Sequence, residues 1–134
     1  MPVRLVNPGE LSPPIGFSHA AVGEGTAIVL AGQIGCDPEG RVTAPGDIVA
    51  QFALALDNLL VALRAAGGDV ADLANLRIFT TDVPAYRANL KALGGAYRDR
   101  LGRHFPAMAL VGVAELFEPD ALIEIEGTAY VRAD

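Results

Sequence analysis

From Asp120 to Arg132 the chain reads D-A-L-I-E-I-E-G-T-A-Y-V-R. Ile123, Ile125, Gly127, Ala129 and Val131 fall on one side of this alternation, and Leu122, Glu124, Glu126, Thr128 and Tyr130 on the other. A sustained period of two with β-branched residues predicts a strand. The first side is apolar and suits packing against helices. The second carries two carboxylates in an otherwise apolar chain, and a carboxylate in a partly dry place is costly unless it is paired, hydrated or used. This strand is where a functional site is expected.

Read from its start, the chain opens with a short edge strand over residues 2–6. Pro8, Pro13, Pro14 and two glycines then make Asn7–Gly16 a loop. Phe17–Val22 and Thr26–Ile34 flank Gly23-Glu24-Gly25 and predict a hairpin; Ala27–Ala31 is apolar throughout, as in a strand covered on both faces. Asp47 is a predicted N-cap for a helix carrying Ile48, Phe52, Leu56, Leu59 and Leu63, which stops at Gly67-Gly68. A strand is expected over Asp72–Thr81. A second helix follows, capped by Asp82, with Pro84 in its first turn, an apolar stripe of Tyr86, Leu90, Leu93, Tyr97 and Leu101, and an end at Gly102. Ala107–Val113 is a strand apolar on both faces, Leu116–Ala121 a loop, and the Glu124 strand comes last. The result is a single α+β domain with a mixed sheet and two helices on one face. Two helices cover only one side of the sheet, so the other is expected to be buried by further copies of the chain.

Composition sharpens this. The chain has 134 residues, 51% of them hydrophobic and only 19% charged, an apolar surplus that suits oligomer interfaces. The net charge is −6, and Arg98, Arg100 and Arg103 form the only loose basic cluster, which disfavours nucleic-acid binding. Cys36 is the single cysteine, and the N-terminal stretch lacks an apolar signal core, so a cytoplasmic protein without membrane attachment is expected. His19 and His104 lack ligand spacing, so no metal site is expected. Cys36 reads as an ordinary thiol.

A-G-Q-I-G at Ala31, D-N-L at Asp57, F-T-T-D at Phe79, F-P-A at Phe105 and I-E-I-E at Ile123 occur in this order. The ordered set resembles the RidA/YjgF family of reactive-intermediate deaminases, formerly described as L-PSP endoribonucleases, over nearly the whole chain. The resemblance implies a chorismate-mutase-like fold and a homotrimeric barrel, with a small-molecule pocket at each subunit interface and no cofactor or metal. In the founding branch, enamines and imines released by pyridoxal-phosphate enzymes are hydrolysed to a keto acid and ammonia. Carried over by position, the catalytic glutamate that positions water is Glu124 and a pocket glycine is Gly32. The pocket tyrosine is replaced by Phe17, in G-F-S-H, and a second-helix asparagine by Leu90. The arginine that clamps the substrate carboxylate is replaced by Met108, and a cysteine two places on by Leu110.

Arginine is the natural bidentate anchor for a carboxylate, and methionine offers none. A pocket of this kind therefore favours a neutral or less acidic substrate, as expected for an arginine-lacking branch. By sequence position alone Glu124 could equally be a structural acid at a subunit interface, and the resemblance puts the functional role ahead; for Glu126 the structural role is the expected one. Met108 and Phe17 read as pocket wall. His19 reads as a hydrogen-bonded structural group, the alternative being that it supplies the polar contact Met108 lacks or acts as an acid or base. The expected function is cofactor-independent hydrolysis or deamination of a small imine or enamine. The alternative is a trimer that binds a small ligand without turnover; an endoribonuclease fits the acidic composition least.

Overall fold

The computed structural model describes residues 2–133. The alternating C-terminal stretch forms β6 (Ile123–Val131), an inner strand. It runs antiparallel to both β3 (Thr26–Gln33) and β4 (Leu73–Thr80), and β5 (Ala107–Gly112) adds parallel to β4, giving the order β3-β6-β4-β5. Strands β1 (Val3–Val6) and β2 (Ala20–Gly23) form a separate antiparallel pair. The helices are α1 (Ile48–Ala65), α2 (Val83–Ala88) and α3 (Leu90–Leu101), with a 3-10 turn at Val70–Asp72. The expected α+β class, mixed sheet and one-sided helical cover are all present.

The core lies between the sheet and the helices. Ile28, Leu30, Leu76, Ile78, Ile123 and Ile125 pack against Phe52, Leu56, Leu59 and Leu63 of α1 and Leu93, Tyr97 and Leu101 of α3. The side chains that alternate with these strand residues point away from the helices. They include Val29, 81% exposed, Val111, Phe79, Glu124 and the Arg77–Glu126 ion pair at 3.6 Å. Helix α1 is long and apolar enough to span a bilayer, yet its buried side is the one packed on the sheet.

Polar side chains of α1 tie the rest to it. Asp47 caps it through Ala50 N–H, at 3.0 Å. Buried Gln51 donates to the carbonyls of Ala44 and Asp120 and accepts from Leu122 N–H, so one amide side chain joins two loops. Asn58 donates to the carbonyls of Ile34 and Cys36. Asp57 takes a two-point contact from Arg100 of α3, at 2.7 and 3.3 Å.

Three expectations are corrected. Phe17–Val22 does not form a hairpin with Thr26–Ile34: β2 pairs with β1, and β3 pairs with β6. The physical reason is ladder length, since β6 offers β3 a long partner, and Gly25 at φ +109° turns the chain away to reach it. The second helix is broken at Asn89, whose backbone leaves the helical region (φ −116°, ψ 22°). Its amide donates to the Ala85 carbonyl at 2.8 Å, the side-chain competition that disfavours asparagine inside helices. Three helices therefore replace two. Finally, the strand expected from Asp72 begins at Leu73, because Asp69 and Asp72 close a capping box around the 3-10 turn.

Leu59 is fully buried between α1 and the sheet. Leu59→Ala is expected to lower the unfolding free energy by about 2–5 kcal/mol in a urea titration.

Candidate functional site

Two motifs far apart in sequence are joined beside β5. Ser18 N–H donates to the Pro106 carbonyl at 3.0 Å, and the buried Ser18 hydroxyl donates to the Phe105 carbonyl at 2.6 Å. G-F-S-H is thereby fixed against F-P-A, and Phe17 is brought to the rim of a cavity of about 620 Å³. Met108 and Leu110 form its strand wall with Ile78; they share that side because they pair with Leu76 and Ile78 of β4. Leu90, Leu93, Tyr97 and Tyr86 form the helix wall.

The cavity is largely apolar. The Tyr97 hydroxyl is spent on the His104 carbonyl at 2.6 Å, and its ring stacks on Phe105 at 5.4 Å. Burial pushes the Tyr86 phenol above its ordinary pKa, so it stays a neutral hydroxyl. Burial raises Tyr97 also, with the neighbouring Tyr86 adding to the shift.

The other expected site residues lie elsewhere. Glu124 opposes Phe79 on β4, on the sheet face without helices. Across from it β3 carries a bulge: Leu30 opposes Gly127 but Gln33 opposes Ile125, leaving one extra residue at Ala31–Gly32. Bulges re-aim the chain locally, and this one brings Gly32 against the acid. A Cβ on Gly32 would overlap the Glu124 carboxylate and stand 3.0 Å from its Cγ. A side chain at position 32 fits only if the Glu124 carboxylate shifts.

The expected residues thus separate into two groups on opposite faces of one sheet. Phe17, Leu90, Met108 and Leu110 line the cavity, whereas Gly32 and Glu124 meet on the bare face. His19 joins neither group: its backbone N–H donates to the Asn7 side chain at 2.8 Å and its Nε2–H to the Ser12 carbonyl at 2.7 Å. Its ring meets Phe17 edge-on at 5.1 Å, so it steadies the loop bearing Phe17. Tyr86 and Arg98 of the cavity wall were not singled out as site residues from sequence. Tyr86 was visible only as part of an apolar stripe, and Arg98 only as part of a loose basic cluster. Among the described residues no group of three His, Cys, Asp or Glu side chains is placed to hold a metal ion.

This architecture is the chorismate-mutase-like α+β fold. The model of the family described as Endoribonuclease L-PSP matches residues 9–131. The chain is 32% identical over 117 residues to a RutC family protein of Pyrococcus horikoshii, covering 87% of this chain and 89% of that one. It is 36% identical over 109 residues to a 2-iminobutanoate/2-iminopropanoate deaminase of Escherichia coli, covering 81% and 82%. Among solved structures it is similar to YyfB of Yersinia pestis, a Rid family protein described as of unknown function. That match has a TM-score of 0.87 and 34% identity, covering 98% of this chain and 100% of that one. The chain belongs to the RidA/YjgF family.

Gly32→Ala tests the close approach. A crystal structure of the variant is expected to show the Glu124 carboxylate turned away from β3; an unmoved carboxylate would count against it.

Proposed function

We infer that the protein is a cofactor-independent hydrolase of a small imine or enamine, working as a homotrimer. Each site is completed by the cavity of one copy and the Glu124 of the next. The observation that carries this reading is the separation of the two groups: one chain holds a shaped apolar cavity and a carboxylate packed on glycine, with the sheet between them. The relative named as a 2-iminobutanoate/2-iminopropanoate deaminase supports the substrate class. The apolar side chains on the bare face support the assembly, since Val29 and Val111 gain by leaving water against a second copy.

The chemistry follows from the groups present. Glu124 accepts a proton from water as the water oxygen bonds to the C=N carbon, and the nitrogen is protonated. The resulting carbinolamine expels ammonia and leaves a carbonyl. An enamine first takes a proton on its β-carbon to become the imine. The sequence consumes one water, releases one ammonia and changes no oxidation state overall, so general acid–base catalysis supplies what it needs. The ribonuclease description of the family is not carried over: a net charge of −6 offers no cationic track for a phosphate backbone.

Imines generated in situ by an amino-acid oxidase provide the assay. Glu124→Gln is expected to fold normally and to lose roughly 10²–10⁴-fold in rate; rates equal to wild type would sink the hydrolase. Leu110→Trp fills the cavity and is expected to be equally inactive. Unfolding and refolding the two inactive variants together is expected to restore activity at about a quarter of the sites, because random mixing in a cyclic trimer pairs an intact cavity with an intact Glu124 that often. No recovery on mixing would overturn the shared site.

Met108→Arg restores the cation found at that place in the founding branch. It is expected to raise kcat/KM on imines whose carboxylate adjoins the C=N carbon, by roughly tenfold for a charge-assisted pair. No gain would mean that the cavity differs from that branch in more than one wall.

A further inference from the structure

The cavity wall holds one charged side chain among those lining it, Arg98. It stands on α3, across from the strand wall of Met108 and Leu110. The ion pairs of Arg41, Arg64, Arg77 and Arg100 do not involve it. Its guanidinium folds back along α3 toward Gly94, one turn earlier and also in the cavity lining, where a Cβ would stand 3.3 Å from Nη1. Glycine inside a helix costs roughly 1 kcal/mol relative to alanine. Arg98 is solvent-exposed and borders both this cavity and a shallower one lined by Lys91 and Gly95.

We propose that Arg98 is the anion anchor of this cavity, replacing from the helix wall the cation missing at Met108, and that the substrate is a carboxylate whose acid group is separated from the reacting C=N by an apolar spacer. A guanidinium at the mouth and thioether and isobutyl groups opposite hold the two ends of a ligand apart. The carboxylate sits at Arg98, the spacer crosses between Leu93 and Leu110, and the C=N end is left toward the strand wall. A carboxylate directly on the C=N carbon would draw that carbon from the strand wall to the helix wall. Arg98 is thus a specificity-determining residue. This inference rests on reading the cavity as the substrate site, and it revises the expectation of a neutral substrate.

The test is binding without turnover, using stable carbonyl compounds in place of the imine. Affinities for 4-oxopentanoate, 2-oxobutanoate and the uncharged 2-pentanone are measured by NMR titration on the intact oligomer. Wild type is expected to bind 4-oxopentanoate more tightly than either of the others. Arg98→Gln is expected to weaken 4-oxopentanoate roughly tenfold, the size of one charge-assisted pair, and to leave 2-pentanone unchanged. Gly94→Ala crowds the guanidinium and is expected to weaken the acid while holding or raising the melting temperature, which separates binding from stability. The proposal is overturned if Arg98→Gln binds 4-oxopentanoate as wild type does, if it weakens acid and ketone equally, or if wild type prefers 2-oxobutanoate. Because no turnover is read here, a Glu124→Gln variant that turns over as fast as wild type removes the hydrolase and leaves the anchor standing. Glu124-dependent turnover with no charge effect at Arg98 removes the anchor alone.

Discussion

Three helices pack on one face of the four-stranded sheet and leave the other without helical cover, and this constraint governs the rest of the molecule. Apolar surface is favoured out of water by about 25 cal/mol per Å². On the helix side that term is satisfied by a continuous core that runs from Ile28 to Ala129 along the chain. On the other side Val29, Phe79 and Val111 surround two carboxylates and an arginine. A face of this composition is neither a finished surface nor a finished core. It is consistent with a second copy closing over it, and with Glu124 becoming useful only when that happens.

Several motifs that signal the family are joints as much as chemistry. The serine of G-F-S-H bonds to the backbone of F-P-A, which carries Phe17 to the cavity rim. The D-N-L stretch divides its labour: Asp57 binds Arg100 and so fixes α3, while Asn58 holds the loop at the end of A-G-Q-I-G through the carbonyls of Ile34 and Cys36. That loop continues from the bulge at Gly32, so α1 indirectly sets how closely β3 approaches Glu124. A short stretch of sequence can therefore report on a distant site through hydrogen bonds alone.

Replacement of a family residue is also seen differently in three dimensions. Position by position, the resemblance sets apolar Met108, Leu110 and Leu90 where polar groups are expected, which reads as the loss of a ligand anchor. Around the open cavity the same walls contain Tyr86, held neutral by burial, and Arg98, which forms no ion pair among the described residues. A cavity is a surface rather than a list of positions, and a charge lost from one wall can be supplied from another.

The local periodicities were legible in the chain itself. They include the strand from Ile123, the helix capped by Asp47, the stop at Gly102 and the one-sided helical cover. Each depends on neighbours within a few residues, and side-chain alternation or the i to i+4 spacing records them directly. The family motifs were legible for the same reason, as was the candidacy of Glu124. What only the tertiary structure decided was pairing and facing. β2 chose β1 over β3, Asn89 broke a stripe that looked continuous, a bulge aimed Gly32 at Glu124, and the expected site residues fell on opposite sides of the sheet. These outcomes are set by contacts between residues distant along the chain, whose free energies compete with one another and leave no periodic trace in the sequence.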